Sequence, residues 1–454
     1  MRKRFTGAVA AAVFLLLALI WSQADPARHH LLLGAGILAA SVSLWICGTL
    51  PMSVTTLLMI ALLALTKIVS FRDAIAQFSV STSLFILASA CLTAAIRGSA
   101  LPQRMTGALM RRFAGREKAL VFCLGILITL CSAFMSSLAT CAMFAALMRE
   151  FMEQAGLPQH SRFRRDVMLL IPACAGIGGF MSPAGTPANI LLLELLAAQG
   201  ARLSFLQWCA IGFPLGLGAS ALFLGLLLLL SPPEEIALRP DSGRQPFTAR
   251  DRKVAVITAA VIGGWFLSGW LPGLDVTIVG LLGMIAIFSP GIDLLSWRQF
   301  EAETDWDLVI MMGTVSVLMS GIASTGLLSR AAALLVSALS GLSGFAFLAA
   351  LSVILFLLRT CIPTTTAVPA LIGPLLLEIS AARGISAVPL LMLLAFWTAA
   401  ALILVYTEPI YLITFHGGKA YSARDLARVG IPVSLLMALV LAAGMPPLVQ
   451  LVLG

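Results

Sequence analysis

EKALVFCLGILITLCSAFMSSLATCAMFAALMREFME, residues 117–153, decides how this chain is read. Two apolar arms meet at a small, hydroxyl-rich tip, residues 132–140. Arg111, Arg112, Arg116 and Lys118 surround its start, and Arg162, Arg164 and Arg165 follow its end. Short loops rich in Lys and Arg stay in the cytoplasm, so both ends belong on one side of a membrane. The arms run to about 17 and about 12 residues, where a full span needs roughly 20. The pattern predicts a re-entrant hairpin with its polar tip near mid-membrane. The alternative is two spans joined tightly by a Ser/Thr-rich bend. Exposed backbone at that depth is tolerated only inside protein or around a water-filled site, so the tip is a candidate binding site.

The composition around this stretch is that of a polytopic membrane protein. Of 454 residues, 60% are hydrophobic and 11% charged, with a mean hydropathy of +1.03; soluble domains carry roughly 25% charged residues. The net charge of +9 is placed in cytoplasmic loops. No basic, aromatic soluble module is present to bind nucleic acid. The eight cysteines (47, 91, 123, 131, 141, 174, 209 and 361) all sit in apolar segments without C-x-x-C spacing. They read as core residues rather than a disulfide framework or a zinc site. His29, His30, His160 and His416 lack ligand spacing too, so no cofactor is expected and no metal beyond a coupling sodium ion. Residues 1–22 could pass for a signal peptide, but the apolar part is long and no clean A-x-A site follows. They are read as the first span, with Arg2, Lys3 and Arg4 inside.

The chain divides into N-terminal scaffold spans (1–70), a first repeat (71–231), a cytoplasmic connector (232–253), linking spans (254–300) and a second repeat (301–454). The first repeat contains the inward-opening hairpin 117–153. It then runs into a long element, 166–199, whose middle reads GIGGFMSPAGTPAN. A helix cannot pass smoothly through Pro183 and Pro187, so a broken span is predicted. The second repeat contains GFAFLAALSVILFLLRTCIPTTTAVPALIGPLLLEI, residues 344–379, again two short arms around a hydroxyl-rich tip. Its flanks carry little charge, which suits a hairpin (344–380) opening from outside. Residues 387–416 form another broken span, interrupted at Tyr406-Thr407-Glu408-Pro409. The expected architecture is all-α, with eleven transmembrane helices and two re-entrant hairpins. The N-terminus is cytoplasmic and the C-terminus outside, in the inner (plasma) membrane.

The halves correspond in order. Arg104 matches Arg330, Ser136 matches Thr364, Thr186 matches Thr407, and Ser204, Gly212 and Pro214 match Ser422, Gly430 and Pro432. One hairpin opens from each side, so the repeats are inverted. Inverted repeats with paired broken helices point to a secondary transporter whose site lies at the repeat interface.

Four interruptions should therefore converge. They offer the hydroxyls of Ser136, Ser137, Thr140, Thr186, Thr364, Thr365, Thr366 and Thr407, the carboxamide of Asn189, and backbone freed around Gly185, Pro187 and Pro409. N–H groups at half-helix starts hold anions, and carbonyls at half-helix ends hold small cations. Those hydroxyls would otherwise only satisfy broken backbone. Two charges stand inside apolar segments, where ionisable residues are costly and usually functional. Arg359 is a candidate substrate countercharge. Glu408 is a candidate proton-coupling carboxylate. The alternative is that the two pair with each other or snorkel to the interface.

At these motifs the sequence resembles the divalent anion:sodium symporter family of the ion transporter superfamily, the di- and tricarboxylate and sulfate carriers. The similarity begins at LWICGTLPMSVTTLLMIALLAL and reaches the last span. The family has two hairpins with Ser-Asn-Thr tips and two broken helices with Thr-Pro-Pro-Asn type motifs. Here the tips align as Ser136-Ser137-Leu138 and Thr364-Thr365-Thr366, and the breaks as Gly185-Thr186-Pro187-Ala188-Asn189 and Thr407-Glu408-Pro409-Ile410. Both tip asparagines are replaced, and the second break carries Ile410 in place of asparagine. The resemblance implies tips that grip substrate carboxylates, and sodium sites using Ser132, Ser137 and Gly185 in one half and Thr360 and Thr365 in the other. It also implies elevator-type motion and a homodimer built on the early spans.

The function expected is ion-coupled transport or exchange of a small anion, a di- or tricarboxylate or an inorganic oxyanion, with Na+ or H+ as the coupling ion. A cation/proton antiporter or metalloid-anion efflux carrier of the same superfamily is the nearest alternative. A channel is more distant. An intramembrane enzyme finds no support: no H-E-x-x-H, no G-x-S-x-G and no nucleophile with a base at readable spacing occurs.

Overall fold

In lipid a backbone must satisfy itself, and long apolar runs can do so as helices. The computed structural model describes residues 2–25, 28–76, 78, 80–158, 161–231, 234, 246–271, 273–361, 367–400, 402, 408–418 and 421–454. Among these residues every regular element is a helix. The chain opens with α1 (Arg2–Ala24), α2 (His29–Cys47) and α3 (Met52–Leu65). A first group follows: α4 (Phe71–Ala76), α5 (Val80–Arg97), α6 (Leu101–Arg112), α7 (Glu117–Phe134), α8 (Ser137–Gln154), α9 (Arg162–Phe180), α10 (Pro187–Ala198) and α11 (Phe205–Leu230). Two linking helices are α12 (Ala249–Leu267) and α13 (Val276–Phe288). A second group closes the chain: α14 (Trp297–Glu303), α15 (Trp306–Ser324), α16 (Leu327–Ala338), α17 (Gly344–Cys361), α18 (Ala367–Arg383), α19 (Ala387–Ala399), α20 (Pro409–Gly418) and α21 (Ala423–Leu453).

Both groups run in one order: a short helix, a longer one, a 12-residue amphipathic helix, two hairpin arms, a helix ending at a break, a short helix beyond it, and a long closing helix. The matched serines do the same job. Ser204 and Ser422 each build a capping box at the start of α11 and α21, with Gln207 and Asp425, satisfying N–H groups that a helix start leaves free. Among the described residues, α1 (from Phe5), α7, α11 and α21 are long and apolar enough to cross a membrane alone. The pair of α5 (from Ser81) and α6, bent by 55°, passes the same test when the two are taken together as one span. The eleven spans expected from sequence include several of the seven shorter apolar helices, of 10–17 residues.

Three local expectations need correction. The first tip is narrower than its hydroxyls suggested. α7 continues to Phe134 and α8 starts at Ser137, so Ser132 and Thr140 are helical and only Met135 and Ser136 lie outside. The arms are 18 and 18 residues, because Arg149, Glu150 and Glu153 end the apolar run without ending the helix. At about 27 Å for 18 residues, arm length no longer argues for re-entry. The first break is likewise shorter, because α9 holds helix through its glycines to Phe180. Pro187 then occupies the first helical position of α10, where a missing N–H costs nothing. The second break begins earlier than Tyr406, since α19 already ends at Ala399. The basic run after α5 forms an amphipathic helix, α6, with Pro102, Thr106 and Met110 buried.

α9 lies at the centre, packed by α7, α8, α11, α19 and α20. The short helices past the breaks cross between groups: α10 packs on α18 and α19, and α20 on α8 and α9. Outside this body, α5 packs on α13 and α15, and α15 on α3.

The connector clamps the base of α9. Glu234 accepts hydrogen bonds from Ser161 Oγ at 2.8 Å and Phe163 N at 3.0 Å, and its own N–H donates to Glu117. Burial raises the Glu234 pKa, but the bonds from Phe163 and Ser161 and the Arg162 charge outweigh it and hold the carboxyl below its ordinary value of 4.5. A carboxyl depressed in the folded state contributes stability above its unfolded pKa, and loses it as pH falls through the folded value. Glu234→Gln should therefore melt lower than wild type at pH 7, with the gap closing in thermal melts taken below pH 4.5.

Candidate functional site

The glycines of α9 let the hairpin approach. A Cβ on Gly178 would overlap the Thr129 carbonyl oxygen of α7, and one on Gly179 would overlap Ser137 Oγ. A Cβ on Gly185 would meet Gly179 O at 2.6 Å and Ser132 O at 2.9 Å. Three segments thus meet without side chains between them: the end of α7, the end of α9 and the break.

Hydrogen bonds lock this junction. Ser132 Oγ donates to Ala175 O at 2.6 Å and lies 3.2 Å from Ser137 Oγ. The Ser137 N–H and hydroxyl both reach Gly185 O at 3.3 Å. Ser182 Oγ donates to Ala133 O and accepts from Ala184 N. Asn189 Nδ2 donates to Gly179 O at 2.8 Å and Ser182 O at 2.7 Å. That pair of carbonyl acceptors fixes the amide orientation, leaving buried Asn189 Oδ1 as an acceptor with no hydrogen bond among the described residues. Thr140 Oγ1 is also buried without one. Hydroxyl and carbonyl oxygens, an orphaned carboxamide oxygen and the carbonyl end of a half-helix suit a small hard cation.

Asn189 carries the break. Asn189→Ala should cost about 2 kcal/mol for two buried hydrogen bonds, and strand the carbonyls of Gly179 and Ser182. The expected result is a lower melting temperature together with a loss of uptake, read in the same preparation.

Beside the junction lies a cavity of about 400 Å³. Ser136, Thr186 and Pro187 line it from the tip and the break, and Ser89, Thr93 and Arg97 line it from α5. Glu303, Asp305 and Leu308 close the far side, and Arg97 pairs with Glu303 at 3.7 Å on its edge. The start of α10 opens here, with Thr186 as its N-cap. A helix N-terminus with a nearby hydroxyl suits an anionic group. Of the candidates in the first half, Ser136, Thr186 and Pro187 reach the cavity. Ser132, Ser137, Gly185 and Asn189 form the junction behind it, and Thr140 is buried within α8.

The second half is built differently. Arg359 and Glu408 have exposures of 1% and 5% and pair at 3.7 Å. Arg359 Nε also donates to Thr398 O at 3.2 Å, at the end of α19. Of the readings open for these two charges, the structure adopts the mutual pair. Thr360 Oγ1 bonds its own helix, to Phe356 O at 2.9 Å. Thr364, Thr365, Thr366 and Thr407 lie outside the described residues; Pro409 starts α20.

Sequence reasoning missed Ser182 and the α5 and α14 contributions. Ser182 had a signal, since Ser-Pro favours turn initiation. Ser89, Thr93, Arg97 and Glu303 had none, because their role comes from packing.

The citrate transporter family model matches residues 42–396. The chain belongs to the citrate transporter family. Membership places it among membrane transporters of small anions. An uncharacterized transporter of Haemophilus influenzae is 24% identical, over 90% of each chain. The sodium-dependent dicarboxylate transporter SdcS of Staphylococcus aureus is 23% identical, over 90% of this chain and 84% of its own. The YdaH transporter of Alcanivorax borkumensis shares the fold, with a TM-score of 0.55 at 14% identity, over 83% of this chain and 87% of that structure.

Proposed function

We propose that this family member carries a small carboxylate anion, a di- or tricarboxylate, coupled to sodium. The observation that carries the reading is the juxtaposition at the first break: a cavity lined by Ser136, Thr186 and Pro187 beside the oxygen-rich junction of Ser132, Ser137, Gly185 and Asn189. Sodium dependence and dicarboxylate transport in the name of the Staphylococcus relative support the same pairing. An anionic group at the α10 N-terminus and a cation at the α9 C-terminus neutralise each other and both helix ends. Binding the two together lowers the cost of carrying either through lipid.

The cavity separates the α7–α10 junction from α5, α14 and α15. In the proposed cycle the hairpin-bearing body moves as a unit against these helices, exposing the site alternately to each side. The two helix groups are inverted in the membrane, each hairpin enters and leaves on one side, and the protein works as a homodimer built on its early helices. The N-terminus is cytoplasmic and the C-terminus outside.

Uptake of radiolabelled succinate or citrate into proteoliposomes tests the function. Uptake should follow an inward sodium gradient and vanish when choline replaces sodium. Uptake that ignores sodium but requires internal dicarboxylate would make the protein an exchanger and end the coupling reading.

A further inference from the structure

The two breaks differ in one respect that bears on ion counting. Around the first, residues 175–190 carry no charged side chain. The carbonyl end of α9 and the N–H start of α10 are left to hydroxyls, a carboxamide and whatever binds there. Around the second, both helix ends meet a charge from the chain itself. The Arg359 guanidinium sits at the carbonyl end of α19, donating to Thr398 O at 3.2 Å. Glu408 immediately precedes the N–H start of α20, and the two charges pair at 3.7 Å. Cations favour helix C-termini and anions favour N-termini, so each charge has the sign its helix end requires. Arg359 is next to Thr360, the residue matched with Ser132; Ser132 donates to Ala175 O within α9, five residues before its end, and Arg359 donates to Thr398 O, one residue before the end of α19.

We infer that the Arg359–Glu408 pair is a tethered cation and anion standing between the end of α19 and the start of α20, in place of a bound ion, so that the transporter uses a single exchangeable coupling cation, held in the first half by Ser132, Ser137, Gly185 and Asn189. A buried guanidinium held by an ion pair and a helix end cannot leave with the substrate. Only the uncharged break can load and release a cation in each cycle. The inference rests on the transporter reading only for what that cation is coupled to.

Sodium titration of the purified protein at constant ionic strength, read by thermal stability, tests it. Wild type should respond with a Hill coefficient of about 1, since the coefficient is bounded by the number of sites. Ser137→Ala should raise half-saturating sodium about tenfold, as expected for one lost ligand contact. The double variant Arg359→Met with Glu408→Gln removes both tethered charges from the second half, and should gain a second, weaker sodium phase. A wild-type coefficient near 2, no response to sodium, or a double variant with an unchanged single phase would each overturn the inference. Succinate, citrate and phosphate are titrated alongside. No stabilisation by any of these anions would count against the carboxylate reading, and leave the cation count to the sodium curves.

Discussion

Arg359→Met alone should destabilise the protein by about 3–5 kcal/mol, the cost of leaving one member of a buried ion pair without its partner. The pair is deep, with exposures of 1% and 5%. Glu408→Gln alone should be comparably damaging, because it leaves a guanidinium near helix carbonyls without its countercharge. The double variant should recover most of the loss. Replacing both charges with groups of similar volume is often neutral or better, since neither ion then has to be desolvated. Thermal melts of the three purified variants, followed by intrinsic fluorescence and size-exclusion profile, check this. If the double variant loses the sum of the single losses, the two residues act independently and the pair does not hold the break. Recovery of stability without recovery of transport would separate the pair's structural contribution from its place in the transport cycle.

That pair also shows where sequence reading stops. Both charges stood out as rare ions in apolar segments, and pairing was one of the open alternatives. Nothing in the spacing of residues 359 and 408 could choose it. The choice comes from α17 and α19 packing together, which places Arg359 against Thr398 O. The same holds for the cavity. Thr186, Pro187 and Ser136 were legible because prolines and small polar residues mark broken helices. The opposite wall, Ser89 to Arg97 and Glu303, lies on helices that look ordinary in sequence. The order of elements was the most legible feature, since apolar length and punctuation by Gly, Pro and basic loops survive folding unchanged. Boundaries were less so. A cluster of hydroxyls at residues 132–140 suggests a tip, but small hydroxyl residues also fit inside closely packed helices. Ser132 and Thr140 are of that kind.

Gly178→Ala should be among the most damaging single-methyl changes in the protein, and Gly218→Ala should leave uptake unchanged and raise stability by up to about 1 kcal/mol. Both glycines lie inside helices, α9 and α11, where helix propensity alone favours alanine by about 1 kcal/mol. What differs is space. A Cβ at position 178 would overlap the Thr129 carbonyl oxygen and lie 2.9 Å from Ser132 Cβ. The Thr129 oxygen belongs to the α7 backbone and cannot rotate away, so α7 and α9 must separate. Overpacking of this kind costs about 1–3 kcal/mol and sometimes more. The separation also pulls Ser132 Oγ from Ala175 O, now 2.6 Å away. Uptake should therefore fall further than stability. At position 218 no heavy atom comes within 4 Å of the added carbon, so the propensity gain stands unopposed. Sodium-driven uptake and melting temperature, measured on both variants, decide the matter. Equal behaviour of the two would mean that α7 and α9 are not held at contact distance. The oxygen cluster that depends on their contact could then not be the cation site.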